Sequence, residues 1–209
     1  MPIREDIKIA AEQIGITYLV HFTRAENLDS IARNGLLPRS RLLSHRDKPT
    51  FNDQYRLDKQ CGAICCSLQF PNYKMFYKCR ENHKDTQWIV LGIKARILWT
   101  KDCAFCVENA ASNNVRHLPI DERKTAAALN ALYNERDGGP TREKMGIKKV
   151  WPTNPQAEVL VFDTIETSEI FAVACNEKKL VDQLTPRFPM FKIQKISDLF
   201  WPRLDYSHW

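Results

Sequence analysis

The spacing of apolar residues along the chain predicts several short helices. Apolar residues recur at helical spacing among charges across residues 4–14, and Gly15 predicts the end of that helix. A second helix is predicted to begin at Glu26 or Asn27 and to end at Gly35. Further helices are predicted at residues 74–79, 126–133 and 178–184.

Runs rich in β-branched and aromatic residues predict strands. These runs lie at residues 16–23, 63–68, 88–93, 103–106, 159–162, 170–175 and 190–193. The helices and strands do not alternate strictly, and the chain has no internal repeat. This order favours an α+β fold with largely antiparallel sheets. Since the chain has 209 residues, we expect a single domain over residues 1–209.

Glu158 stands where a turn-rich segment enters an apolar run. Pro152 and Pro155 precede it, and nearly every residue from Val159 to Phe162 is apolar. The run predicts a buried strand, so the carboxylate of Glu158 lies at its mouth, where an unpaired charge is costly. One explanation is a salt bridge or a partly solvated strand end. The other is a catalytic carboxylate at the edge of a cleft.

Composition and charge narrow the range of partners. The chain carries 31 Lys and Arg against 25 Asp and Glu, a net charge of +6, which suits an anionic partner such as nucleic acid. No apolar run approaches the ~20 residues that span a bilayer, and the N-terminus does not resemble a secretory signal. We therefore expect a cytoplasmic protein without a membrane partner.

The cysteines do not form a recognisable metal or disulfide framework. Their number, seven, is odd, which is typical of free thiols in a reducing compartment. Cys103 and Cys106 form one Cys-x-x-Cys, but no second pair at metal-binding spacing accompanies it. We therefore expect no metal site.

The segment 38–60 is a long basic loop in the sequence. It holds few apolar residues and many cations, among them Arg46, Lys48 and Arg56. Loops of this length within a compact domain are usually functional or disordered. The segment is therefore either a clamp on phosphates or a solvated insertion.

A set of scattered polar and aromatic residues suits the breaking of an N-glycosidic bond. The set comprises His21 at the end of a strand, Asn27, Arg56, Tyr73 and Glu158. A carboxylate can accept a hydrogen bond from a ribose 2′-hydroxyl and stabilise positive charge that develops on the sugar. An aromatic ring can stack on a departing nicotinamide, and an arginine fork suits pyrophosphate.

Four blocks of the sequence resemble the DarT family, bacterial toxins that transfer ADP-ribose from NAD to a base in DNA. The blocks lie in the family's order, and the last is the most specific. They comprise Tyr18 to Thr23 with Asn27 to Leu37, the segment from Arg56 to Tyr77, Asn109 to Ser112, and Pro152 to Val161.

The resemblance implies an ADP-ribosyltransferase-like split β-sandwich with flanking helices and an NAD cleft, and no metal. It makes Glu158 and Arg56 catalytic, and it makes residues 138–157 the substrate-recognition loop. Contacts with NAD are implied for His21, Thr23, Asn27, Arg56 and Tyr73. Contacts with the substrate are implied for Asn154, Gln156, Arg46 and Lys48. The partners implied are single-stranded DNA and a macrodomain antitoxin of the DarG kind.

One position departs from the family pattern, and some alternatives remain open. Family members often carry a second His three residues before the Asn, and here that residue is Arg24. The same chemistry on RNA or protein remains an alternative, since Gln156 and Glu158 form a Gln-x-Glu element. An inactive nucleic-acid-binding module is the alternative from another class. The target base is either thymine or guanine.

Overall fold

The computed structural model describes residues 2–42 and 60–209. The candidate residues Arg46, Lys48 and Arg56 lie outside the described residues, as does most of the basic loop. The start of that loop is described and differs from the prediction, since residues 39–42 form a short helix.

The described chain contains seven strands. They are β1 (Tyr18–Arg24), β2 (Ile64–Leu68), β3 (Trp88–Lys94), β4 (Cys103–Cys106), β5 (Glu158–Val161), β6 (Ile170–Cys175) and β7 (Lys192–Lys195). The same residues contain seven α-helices. They are α1 (Glu5–Ile14), α2 (Leu28–Asn34), α3 (Arg39–Leu42), α4 (Tyr73–Asn82), α5 (Ile97–Thr100), α6 (Ala126–Ala131) and α7 (Lys178–Leu184). Five short 3₁₀ turns lie between or after these elements in the described residues.

The strands form a mixed sheet in the order β4-β5-β2-β1-β3-β6-β7. All neighbours are antiparallel except β6 and β7, which are parallel. β1 pairs with β3 over its whole length, whereas its described pairing with β2 covers two residue pairs, Leu19 with Leu68 and Val20 with Ser67. The sheet therefore has two halves that are joined over a short contact.

Helices cover the sheet because its strands carry apolar residues on both faces. Leu19 and Leu91 belong to the large core cluster that also holds residues of α1, α2, α6 and α7. Val20 and Val90, which are the chain neighbours of Leu19 and Leu91, lie on the opposite face with Phe76 of α4. An α+β fold is thus confirmed.

Helix ends follow the predicted signals. α1 ends at Ile14, and Gly15 takes the left-handed conformation at φ 86°. At α4, the Asn72 side chain caps the first turn by accepting a hydrogen bond from the Met75 backbone N–H at 3.1 Å. Several predicted bounds were displaced. β1 begins at Tyr18 and β7 at Lys192, each two residues later than predicted. α4 continues to Asn82, and α6 ends at Ala131.

Candidate active site

A cleft opens where β1 and β2 diverge. Its walls are β1, α2, β2, the first turn of α4 and the start of β5. Polar side chains from these elements line it together with apolar ones. They belong to His21, Thr23, Asn27, Ser30, Arg39, Ser67, Asn72 and Glu158. Four of the candidate residues, His21, Thr23, Asn27 and Glu158, therefore share one cleft although Glu158 is distant in sequence.

Glu158 is the first residue of β5 and is only 6% exposed. It pairs with Cys106, the last residue of β4, so the turn after β4 passes over its side chain. Asn109 Nδ2 donates to Oε1 at 3.1 Å, and the Ala110 backbone N–H donates to Oε2 at 3.0 Å. These bonds offset part of the cost of burying a carboxylate, and they fix its orientation.

The turn that holds Glu158 is itself ordered by a local hydrogen bond. Asn109 Oδ1 accepts from the Ala111 backbone N–H at 2.9 Å. The side chain of Asn109 thus shapes the turn with its oxygen and holds Glu158 with its nitrogen. The sequence placed Asn109 and Ala110 in a loop, and their role as carboxylate donors became visible only in the structure.

His21 bridges the two halves of the sheet at the cleft. Its Nδ1 lies 2.8 Å from the carbonyl oxygen of Cys65 on β2. A carbonyl only accepts hydrogen bonds, so Nδ1 carries a proton. This bond fixes the imidazole where the paired part of β1 and β2 ends.

Thr23 and Asn27 form a linked pair at the end of β1. Asn27 Nδ2 donates to Thr23 Oγ1 at 3.0 Å, and Thr23 is 4% exposed. Arg24, between them, is not among the residues that line the cleft. Its guanidinium lies 5.6 Å from the Trp88 ring centre and 3.9 Å from a Glu26 carboxylate oxygen. Of the two residues considered for this corner, His21 rather than Arg24 lines the cleft.

Tyr73 differs in position from the other candidates. It begins α4 but is 8% exposed and is not among the residues that line the cleft. Burial raises the pKa of its hydroxyl to about 12, with a further rise from Asp205 and an opposing effect of Arg203. The cleft wall is formed at this point by Asn72 and Met75.

Asn72 is a cleft-lining residue that the sequence did not identify. It is 1% exposed, and its backbone N–H donates to Ser67 Oγ at 3.2 Å. Its Oδ1 caps α4, but its Nδ2 has no hydrogen-bond partner among the described residues. A buried N–H group without a partner is costly, so it suits a site that receives an acceptor from a ligand.

The segment before Glu158 is held by the half-buried side chain of Arg142. Arg142 donates to Thr153 Oγ1 at 2.6 Å and to the carbonyl of Trp151 at 2.9 Å. Desolvation lowers the pKa of Arg142, with an opposing effect of Glu135. Asn154, a candidate substrate contact, accepts a bond from the Gln156 backbone N–H at 2.9 Å through Oδ1. Both candidates, Asn154 and Gln156, are half-buried in this turn.

Two other kinds of site are absent from the part of the chain that the structure describes. Within residues 2–42 and 60–209, no cluster of three or more His, Cys, Asp or Glu side chains is arranged to hold a metal ion. In the same ranges, no helix has both the length and the apolar character that crossing a bilayer requires.

Comparison with protein families gives one match over most of the chain. The model of the family described as "ssDNA thymidine ADP-ribosyltransferase, DarT" matches residues 20–208. A search of curated protein sequences found no significant match.

Several solved structures resemble this one. Thermosipho africanus DarTG in complex with ADP-ribose is 16% identical, with a TM-score of 0.60 over 88% of this chain and 51% of that chain. Thermus sp. 2.9 DarT in complex with NAD+ is 15% identical, with a TM-score of 0.56 over 90% of this chain and 98% of that one. Thermus sp. 2.9 DarT in complex with ADP-ribosylated ssDNA is 15% identical, with a TM-score of 0.52 over 89% and 97%. The present chain spans about half the length of the Thermosipho chain. At such identities the likeness shows a shared fold.

Proposed function

The chain belongs to the DarT family, whose model covers residues 20–208, and from this premise we propose that it transfers ADP-ribose from NAD to a thymidine base in single-stranded DNA and releases nicotinamide. The observation that carries the proposal is the buried carboxylate of Glu158 at the cleft, with both oxygens held by the turn after β4. The family's description favours thymidine over guanine as the target.

Glu158 is the proposed catalytic residue. Its carboxylate accepts a hydrogen bond from a ribose hydroxyl and stabilises the positive charge that develops at C1′ as nicotinamide departs. Asn109 and Ala110 support this role, because they hold the carboxylate in place before the substrate arrives. A preorganised negative charge of this kind stabilises the transition state more than the ground state, because the positive charge develops only as the bond breaks.

The polar groups of the cleft fit a nucleotide substrate such as NAD. The Nδ2 group of Asn72 lacks a partner among the described residues. His21, Thr23 and Asn27 add an imidazole, a hydroxyl and an amide group to the same cleft. We assign these three residues to NAD, as the family resemblance implies, together with Arg56 at the phosphates. Tyr73, which the resemblance also implies for NAD, stays a candidate although it is not among the residues that line the cleft.

The reaction is a substitution at C1′ of the nicotinamide ribose. The C1′–N bond to nicotinamide breaks and its electron pair leaves with nicotinamide. A nitrogen of the base forms the new C1′–N bond and its proton passes to solvent, a step for which we propose assistance from Arg56. The base must leave a duplex to reach the cleft, so single-stranded DNA is the suitable substrate.

The remaining assignments concern recognition and regulation. We assign Asn154 and Gln156 in the segment 138–157, and Arg46 and Lys48 in the basic loop, to the DNA. A macrodomain antitoxin of the DarG kind is the proposed partner, and the Thermosipho protein of similar fold is named as DarTG. With DNA as its substrate, the protein would act in the cytoplasm as a toxin.

Labelled NAD tests the proposed reaction directly. Purified protein is incubated with labelled NAD and separate pools of single-stranded DNA, duplex DNA, RNA and protein. We expect label on single-stranded DNA, and a loss of at least ~100-fold in rate for Glu158→Gln, because the charge at C1′ loses its main stabiliser. Mass spectrometry of the labelled DNA then identifies the base.

The control is Glu166→Gln, which removes a half-exposed carboxylate that pairs with Lys101 and does not line the cleft. It should transfer ADP-ribose at the wild-type rate. Label on RNA or protein alone would keep the chemistry and replace the acceptor. No label in any pool, from folded protein, would support an inactive nucleic-acid-binding module instead.

A further inference from the structure

The C-terminal tail contacts the segment that leads into Glu158. Arg203 is 3% exposed and lies in this tail. Its Nη1 donates to the carbonyl of Pro152 at 2.8 Å, and its Nη2 donates to the carbonyl of Thr153 at 3.0 Å. Its guanidinium also lies 5.7 Å from the centre of the Trp151 ring. The Arg203 side chain therefore contacts three consecutive residues, 151–153, of the substrate-recognition loop.

Arg203 is in turn oriented by a buried acid. Its Nε and Nη2 donate to the two carboxylate oxygens of Asp205 at 2.8 and 2.5 Å. Asp205 is 1% exposed and also accepts a bond from Trp209 Nε1 at 2.7 Å. The planar fork of an arginine serves the carboxylate and the two carbonyls at the same time, which the ammonium group of a lysine cannot do.

Hydrogen bonds hold Thr153 in place on all sides. Its backbone N–H donates to Leu132 at 2.8 Å, and its Oγ1 donates to the carbonyl of Asn134 at 2.7 Å while it accepts from Arg142. With Arg203 on its carbonyl, every polar group of Thr153 is engaged. The four residues 154–157 thus connect Thr153, which is fixed, to the strand that begins at Glu158.

We propose that Arg203, oriented by Asp205 and Trp209, is a positioning residue for the DNA base. It fixes the near end of the four-residue segment that carries Asn154 and Gln156, and so sets where these side chains stand relative to Glu158. This inference rests on the proposed function. Stability alone does not explain the buried pair of Arg203 and Asp205, because hydrophobic residues can often replace such a pair without loss of stability.

The proposal separates two properties of the protein. NAD binds in the cleft between β1 and β2, whose lining residues do not include Arg203. The DNA base is recognised by the segment that Arg203 holds. Loosening Arg203 should therefore weaken the use of DNA and leave the affinity for NAD unchanged.

The test is Arg203→Lys, measured with a single-stranded oligonucleotide at saturating NAD. We expect kcat/KM for the oligonucleotide to fall on the order of 10- to 100-fold, mainly through KM, since a small misplacement of a positioning group has effects of this size. We expect the Kd for NAD, from calorimetry, to stay within about twofold of wild type.

Arg96→Lys is the matched control. Arg96 also makes a two-pronged pair with a buried acid, Glu169, through its Nε at 2.7 Å and its Nη2, but it does not contact the loop. It should lower the melting temperature without changing KM for the oligonucleotide. If Arg203→Lys does not fold, Trp209→Phe decides, because it removes the N–H bond to Asp205 and leaves Arg203 itself unchanged. It also shortens the ring over which Arg136 lies, a contact outside the loop segment that Arg203 holds. The same pattern is then expected with a smaller amplitude.

Each other outcome overturns the proposal. An unchanged kcat/KM in folded Arg203→Lys, or in Trp209→Phe where that variant decides, would show that the segment needs no anchor from the tail. Equal losses in NAD affinity and in DNA use would show a general structural role. If wild-type protein transfers nothing to DNA, the proposed function fails and this inference falls with it, whereas activity in wild type with no effect of the variants refutes the inference alone.

Discussion

At the scale of single residues, the hydroxyl of Tyr73 is buried without a hydrogen-bond partner among the described residues. Leaving such a group unpaired costs about 1–3 kcal/mol. Tyr73→Phe removes the oxygen and keeps the ring, so we expect the free energy of unfolding to rise by about 1 kcal/mol. Urea denaturation at neutral pH measures the change.

Tyr133→Phe is the control for this prediction. The Tyr133 hydroxyl is also largely buried, but it donates to the carbonyl of Val150 at 3.3 Å. Its removal should lower the free energy of unfolding by about 1 kcal/mol. Equal destabilisation by both substitutions would show that the Tyr73 hydroxyl is satisfied in solution, for instance by water.

The sequence predicted the chemical types at the site better than their geometry. His21, Thr23 and Asn27 follow one another on one strand and its exit, so a single motif brings these three to the cleft, whereas Glu158 reaches it from β5. Asn109 and Ala110 were not identified, because one acts through an amide and the other through its backbone, both typical of any turn. Tyr73 stays a prediction: it is not among the residues that line the cleft, whereas Asn72, directly before it, is.

At the scale of elements, the end of α2 depends on Gly35. Its φ of 73° and ψ of −172° lie in a region that only glycine readily adopts. A Cβ there would lie 2.3 Å from the backbone oxygen of Ile165, which pairs with Leu36 across an isolated bridge. Gly35→Ala should therefore destabilise the fold by at least about 2 kcal/mol, as measured by chemical denaturation.

Gly62 provides the matched control. A Cβ at Gly62 meets no heavy atom of the described residues within 4 Å. Gly62→Ala should change the free energy of unfolding by less than about 0.5 kcal/mol. A similar, small effect of both substitutions would mean that the chain between α2 and α3 shifts readily, and the cleft wall formed by Gly35 to Leu37 would then be adaptable.

Elements were predictable where a strand is buried, and less so where it is not. β3 and β5 are nearly continuous apolar runs, and the structure confirms both. β7 is mostly exposed and carries alternating polar residues, so its apolar neighbours Met190 and Phe191 drew the prediction two residues too early. Its parallel pairing with β6 depends on the crossover through α7, and no local pattern encodes that.

At the scale of the whole molecule, the fold explains why distant blocks of sequence act together. β5 lies between β4 and β2, so Glu158 is placed beside the turn after β4 and near the cleft edge of β2. The C-terminal tail returns to the segment before β5 through Arg203. The order of the strands in the sheet, which the pattern of apolar residues did not reveal, thus builds the site from four parts of the chain.

At the same scale, buried thiol and phenol groups change the stability of the protein with pH in the same direction. Burial raises the pKa of the Cys103 thiol from 9.0 to about 12 and that of Cys175 from 9.0 to about 11. Burial likewise raises the pKa of Tyr73 to about 12. In each case the unfolded chain loses the proton first as pH rises. Folding therefore retains protons that the unfolded state has released, and each group favours unfolding as pH rises from its unfolded pKa to its folded pKa.

We therefore expect the contribution of the two thiols to stability to be complete below about pH 8.5 and to decline above about pH 9, and that of Tyr73 to decline above about pH 10, by up to about 1.4 kcal/mol per pH unit for each group. Urea denaturation between pH 8 and pH 10.5, with a reducing agent present, measures the slope. Cys103→Ala lowers stability at every pH because it leaves a small cavity, but it removes one titrating group and should flatten the decline. Parallel curves for the variant and wild type would show that the Cys103 thiol titrates in the folded protein as it does in the unfolded chain.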